Sequence, residues 1–195
     1  MSAAVLVARV GAAHGAREAA AALACAGSEA DRAGLMVDLD AGRAPRPGLI
    51  ATAAARELEE RLAAHIPGVG VASRGRICRL ALPDDEAGLE LAGAALAIGR
   101  GSTAALHLPP RLVQAALERP LCPTAGLLRA DLADDRALTA LAVGDLLERG
   151  LRVAVLKHPI GWVAARAALA GLSAPTGAAG IPTRIGRRLL DPDGQ

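Results

Sequence analysis

The residues best spaced for chemistry lie between Val10 and Glu18 (VGAAHGARE), where a short apolar run passes through glycine into an alanine-rich segment. A phosphate loop of the form GxxxxGK[ST] occupies such a junction. Its glycines let backbone N–H groups wrap the phosphates, its lysine neutralises their charge, and its hydroxyl holds magnesium. Gly11 stands at the first place, followed by Ala12, Ala13, His14 and Gly15; the three closing places read Ala16, Arg17 and Glu18. Arg17 keeps a cation, but a broad planar fork is no simple replacement for a compact ammonium inside a tight loop. Glu18 puts a carboxylate where a hydroxyl should meet metal, and it would repel a β-phosphate. Taken alone, the junction also reads as a glycine-containing turn that opens a helix.

Other candidates carry less. His14, His65, His107 and His158 show no spacing of the HxxxH kind, so no metal site is expected and satisfied or surface histidines are the default. His14 and Asp38, both expected at strand ends, are a conceivable acid/base pair. Asp131, Asp134 and Asp135 are explained by helix capping. Ser73, Ser102 and Ser173 have no base near them in sequence, there is no GxSxG, and no hydrolase triad is indicated.

The elements that must position these residues alternate. Strands are expected at Ala4–Val10, Gly34–Asp40, Ile77–Leu82, Ala104–Leu108, Gly126–Ala130 and Leu151–Leu156. Helices are expected at Ala16–Ala26, Thr52–His65, Glu86–Ile98 (capped by Asp84 or Asp85), Arg111–Glu118, from the Asp134/Asp135 cap to Arg149, and Gly161–Leu172. IPGVG, before Ile77, reads as a break. On the second helix Glu57 and Arg61 fall on the wet face, Leu58 and Leu62 on the buried one. Several strands are apolar along their whole length, which predicts an α/β fold: a single three-layer domain, its mostly parallel sheet covered on both faces. The expected domain spans 1–174, followed by a Gly/Pro-rich, basic tail over 175–195.

The chain has 195 residues, 52 % of them hydrophobic, enough for one buried core. Without Phe or Tyr, and with Trp162 the only tryptophan, that core must be built from Leu, Val, Ile and Ala. A net charge of +2 is too small for a broad nucleic-acid footprint, so no nucleic-acid partner is expected. Lys157 is the only lysine, and Cys25, Cys78 and Cys122 form no CxxC pair; they read as reduced thiols of a cytoplasmic protein. The N-terminal run, interrupted by Arg9, does not read as a signal peptide, and no apolar stretch reaches membrane-spanning length. Ile181, Ile185 and Leu189, with Arg184, Arg187 and Arg188 between them, suggest a short amphipathic segment from Ile181 to Leu190. It would meet a partner or the inner face of a membrane, although Pro182 and Gly186 weaken the helix.

Three segments together carry a family resemblance: GAAHGARE after the first strand, VDLD at Val37–Asp40, and ALHLPP at Ala105–Pro110. The chain resembles a shortened member of the MinD/ParA class of P-loop ATPases, in its TadZ/CpaE-like branch. That family carries KGGxGKT after the first strand, a strand ending in DxD, and a later strand followed by D-x-P-P. The resemblance implies a P-loop NTPase-like fold with ATP as its cofactor. It would assign Gly11, Ala12, Ala13, His14, Gly15, Ala16, Arg17, Asp38, Asp40 and His107 to the nucleotide site. Ala12 replaces the family's signature lysine, Arg17 the phosphate-binding lysine, Glu18 the magnesium hydroxyl, and His107 the acid of the D-x-P-P strand. Asp38 and Asp40 remain, and Asp38 would be catalytic if any residue were. Loss of four groups leaves little phosphoryl-transfer machinery. The implied role is a non-hydrolysing scaffold or localisation factor in pilus assembly or secretion, acting through protein partners or a homodimer. Two alternatives stay open at this level: a slow magnesium-dependent NTPase with a variant loop, and a Rossmann-like enzyme of unknown substrate.

Overall fold

A computed structural model describes residues 4–10, 15–28, 31–39, 45–119, 121, 123, 125–129 and 136–156. The elements run β1 (Ala4–Arg9), α1 (Ala16–Ala26), β2 (Gly34–Asp38), α2 (Ala53–His65), β3 (Gly70–Arg74), β4 (Ile77–Ala81), α3 (Glu86–Ile98), β5 (Ala104–Leu108), α4 (Pro110–Glu118), β6 (Ala125–Arg129), α5 (Arg136–Glu148) and β7 (Arg152–Leu156). Up to Leu156 every expected strand and helix is present, with ends displaced by at most two residues. The expected helix at Gly161–Leu172, the tail over 175–195 with its Ile181–Leu190 segment, Cys122, and the aspartates at 131, 134 and 135 lie outside the described residues.

One strand was not expected. β3 starts at Gly70, the last residue of the run read as a break, and pairs antiparallel with β4 across the two-residue turn Gly75–Arg76. GVASR is too short and too polar to announce a strand. It is held by its ladder to β4 and by its packing on α2 rather than by propensity.

The sheet has seven strands in the order β3-β4-β2-β5-β1-β6-β7, and every pairing except β3 with β4 is parallel. Because strand side chains alternate between faces, each strand feeds two layers. Leu6, Leu35, Val37, Leu80, Leu106 and Leu108 enter the larger core, where Leu62 of α2, Leu89 of α3, Leu112 of α4 and Leu146 of α5 meet them. Val5, Val7, Met36 and Ala105 face the other way, into a smaller core with Ala16, Ala19, Ala20, Leu23 and Ala24 of α1. The described residues therefore form an α/β structure with helices on both faces of a mostly parallel sheet. No helix among them is long and apolar enough to cross a membrane.

The alanine-rich α1 sits close to the sheet. A Cβ on Gly34, at the start of β2, would lie 2.0 Å from the Ala24 carbonyl oxygen. Helix and strand meet there through backbone, and only hydrogen fits. On the larger core, Thr52 caps α2 by accepting from the Ala55 N–H (3.3 Å), and Asp85 caps α3 by accepting from the Gly88 N–H (2.9 Å). Leu58 and Leu62 are buried and Glu57 and Arg61 exposed, as the spacing requires. Glu59 of α2 accepts from the Ser73 N–H (3.0 Å) and from its hydroxyl, tying β3 to the helix.

Two expected outcomes follow. Gly34→Ala should lower the unfolding free energy by about 2 kcal/mol, the scale of overpacking a tight contact, read as a lower urea midpoint with unchanged slope. Cys78 is fully buried in β4, and burial, with the Glu59 carboxylate as the lesser cause, pushes its thiol up to about 12. The unfolded thiol, near 9.0, releases its proton where the folded one keeps it. Stability should therefore fall as pH rises from about 9 towards 12. Cys78→Ala should remove that part of the decline in urea titrations at stepped pH.

Candidate functional site

In an open parallel sheet, ligands gather at the carboxyl ends of strands, where the chain turns into helices. Strands β2 and β5 bring the candidates Asp38 and His107 to that edge, and β4 adds Arg79. Register sets Val7 of β1 beside His107 of β5, and His107 beside Asp38 of β2. Asp38 follows Met36 by two residues and His107 follows Ala105 by two, so both side chains share the α1 face. Arg79 of β4 lies on that face too: it follows Ile77 by two and pairs in register with Met36. Pro109 and Pro110, at the N-cap and first turn of α4, end β5 just past His107.

The fourth member comes from the β1–α1 turn. Gly15 is the N-cap of α1 with φ 90°, the left-handed region where a side chain would be strained. Arg17, two residues on, reaches across to β2. Its Nε donates to Asp38 Oδ2 at 2.7 Å, and Arg79 donates through a terminal nitrogen to the same oxygen at 2.5 Å. His107 Nδ1 lies 2.9 Å from Oδ1. A carboxylate only accepts, so this geometry puts the proton of the imidazole on Nδ1.

Asp38 is wholly buried, His107 nearly so, and the arginines are partly open, with side-chain exposures of 38 % for Arg17 and 27 % for Arg79. A buried carboxylate is tolerated only when paired and hydrogen-bonded. Here the pairing is charge-assisted on one oxygen and capped by imidazole on the other.

This arrangement limits the chemistry. Two guanidinium groups on Asp38 repel a divalent cation, and an entering metal would have to displace both. Among the described residues, Asp38 so paired does not fit as a ligand of the magnesium that the family resemblance would imply. Among the described residues no three His, Cys, Asp or Glu side chains gather in a metal-holding group.

Of the expected nucleotide-site residues, Arg17, Asp38 and His107 come together, and Gly15 and Ala16 open the helix that carries Arg17. Gly11, Ala12, Ala13, His14 and Asp40 lie outside the described residues, and with them the His14–Asp38 pairing; the imidazole found on Asp38 belongs to His107. Glu18 is exposed and stands away from the Asp38 cluster's bonds, lining an adjoining cleft instead. Arg79 was missed. Its only sequence signal is a lone arginine in the apolar run of ICRLA.

Substitutions should separate the members of the cluster. Asp38→Ala leaves two guanidinium groups facing an apolar floor and should cost about 3 kcal/mol. Arg79→Ala should cost less and Arg17→Ala least, about 1 kcal/mol, because water screens the more open side chain. Urea unfolding of the three variants gives the order directly.

The chain matches no protein-family model, no curated protein sequence and no solved structure.

Proposed function

We propose that this chain is a non-hydrolysing protein on a MinD/ParA-like P-loop plan, which works by binding rather than by cutting a nucleotide. The observation that carries this reading is the sealing of Asp38. The acid that active relatives would use to order metal and water is buried at 0 % exposure under Arg17 and Arg79. Arg17, which stands where the phosphate-binding lysine would be, spends its Nε on that acid. A hydrolytic centre needs these two charges apart, the cation on phosphate and the acid towards metal. Here they neutralise one another.

The order β2-β5-β1 supports the same plan, since it brings the DxD-like strand, the strand of the ALHLPP segment and the loop strand to one edge. In this reading the chain serves as a scaffold or localisation factor in pilus assembly or secretion, through partner or homodimer surfaces near that edge. This last step follows from the resemblance of the sequence segments.

Calorimetric titration with ATP and magnesium, run in parallel with a phosphate-release assay, tests the proposal. No magnesium-dependent release above the protein-free rate is expected, for the native chain or for Arg17→Ala. Turnover that disappears in Arg17→Ala would overturn the reading and make the chain a slow NTPase.

A further inference from the structure

The sheet extends beyond the helix that covers it. α1 packs over β1, β5 and β2, while β4 and β3 continue outward; on the α1 side Ala72 is buried, Ile77 and Arg79 are partly exposed and Arg74 is exposed. The result is a cleft of about 730 Å³. Met36, Ile77, Arg79, Ala72 and Arg74 form its floor. Arg17, Ala21 and Cys25, four residues apart along α1, form one wall, with Glu18 beside them.

The opposite rim is built by the segment before α2. It lies along the β3 edge through three backbone bonds: Gly48 N–H to Ser73 O (3.0 Å), Gly75 N–H to Ile50 O (2.7 Å) and Thr52 N–H to Gly75 O (2.8 Å). The segment shields an edge strand and carries Pro45 and Arg46 to the cleft.

Five arginines line this one cleft, Arg17, Arg46, Arg74, Arg76 and Arg79, against the single lining carboxylate Glu18. Asp38 below offsets part of the charge of Arg17 and Arg79; Arg46, Arg74 and Arg76 are exposed. Like charges so gathered repel, and they contribute nothing to the core. Arg79 Nε is buried and has no hydrogen-bond partner among the described residues, an uncommon state for a donor. Guanidinium forks match phosphate oxygens and stack on planar rings. The floor between them is apolar, and the volume falls in the range of small-molecule sites, about 300–1,000 Å³.

We infer that this cleft binds a small organic polyanion of the nucleotide class, with its phosphates on the arginine rim and its planar body against the partly exposed Ile77 and Ala21. Glu18 sets the orientation. It stands at the start of α1, so the anionic end lies at the far end, by Arg74, Arg76 and Cys25, where β4 begins. The site does not depend on the reading of Asp38 as a silenced catalytic acid, and it needs no metal.

The full chain, in EDTA, is titrated calorimetrically with ADP, pyrophosphate and adenosine, and Cys25 alkylation by N-ethylmaleimide is followed by peptide mass spectrometry. ADP should bind, pyrophosphate more weakly, and adenosine not measurably; saturating ADP should slow Cys25 alkylation. Arg74→Ala/Arg76→Ala should weaken ADP at least about tenfold, the scale of one or two lost charge-assisted bonds, with an unchanged melting temperature because both side chains are exposed. Glu18→Gln should tighten ADP by removing a repelling charge. The inference is overturned if neither anion binds, if ADP binds equally well to the double variant, or if bound ADP leaves Cys25 alkylation unchanged, which would put the nucleotide elsewhere. Because magnesium is absent, these outcomes are independent of whether the chain hydrolyses ATP.

Discussion

A carboxylate with no access to water sits at the carboxyl edge of the sheet, and the surrounding structure is organised to tolerate it. Asp38 requires charge compensation, and the compensation comes from three directions: α1, β4 and β5. The Arg17 contact joins a helix to a strand that no backbone ladder holds to it, while those of Arg79 and His107 reinforce strands already paired in register. Arg17 ties the start of α1 to the sheet, Arg79 ties the outer strands to the middle ones, and His107 fills the row between Asp38 and Val7. The cluster is a structural clasp and an electrostatic sink together.

The clasp governs both readings of function. By drawing Arg17 onto Asp38, it pairs the cation of the β1–α1 junction with the acid that, in the proposed reading, metal chemistry would use. Through Arg17 and Arg79 it also forms one end of the arginine-lined cleft. Both features arise from the same asymmetry. Four helices cover one face of the sheet, whereas α1 is the only described helix on the other. Among the described residues a narrow alanine-rich helix covers few strands, and the width over β4 and β3 beyond it becomes concave space.

Much of the α/β architecture was legible in the chain. Apolar strand runs, Ala-rich segments without β-branching, the Asp85 cap and the Pro109–Pro110 stop are local signals, and the corresponding elements form where those signals stand. The edge strand β3 was not legible, because its order comes from pairing with β4 and from Glu59 of α2 holding Ser73. Glu18 was legible as a misplaced charge but not as a cleft residue. Arg74, Arg76 and Arg79 looked like ordinary arginines in an arginine-rich chain, since nothing local distinguishes a rim from a surface.

By itself the sequence determined the order of strands and helices up to Leu156 apart from β3, the small-residue character of α1, and the presence of an acid, a cation and an imidazole in the three segments that carry the family resemblance. Only the tertiary structure decided what these groups do to one another. Asp38 meets Arg17, Arg79 and His107 across separations of 21, 41 and 69 residues. Such contacts depend on strand order and register, which are set by the packing of two cores against one sheet. Spacing along the chain carries no record of that choice, because a parallel sheet pairs strands across whole helices.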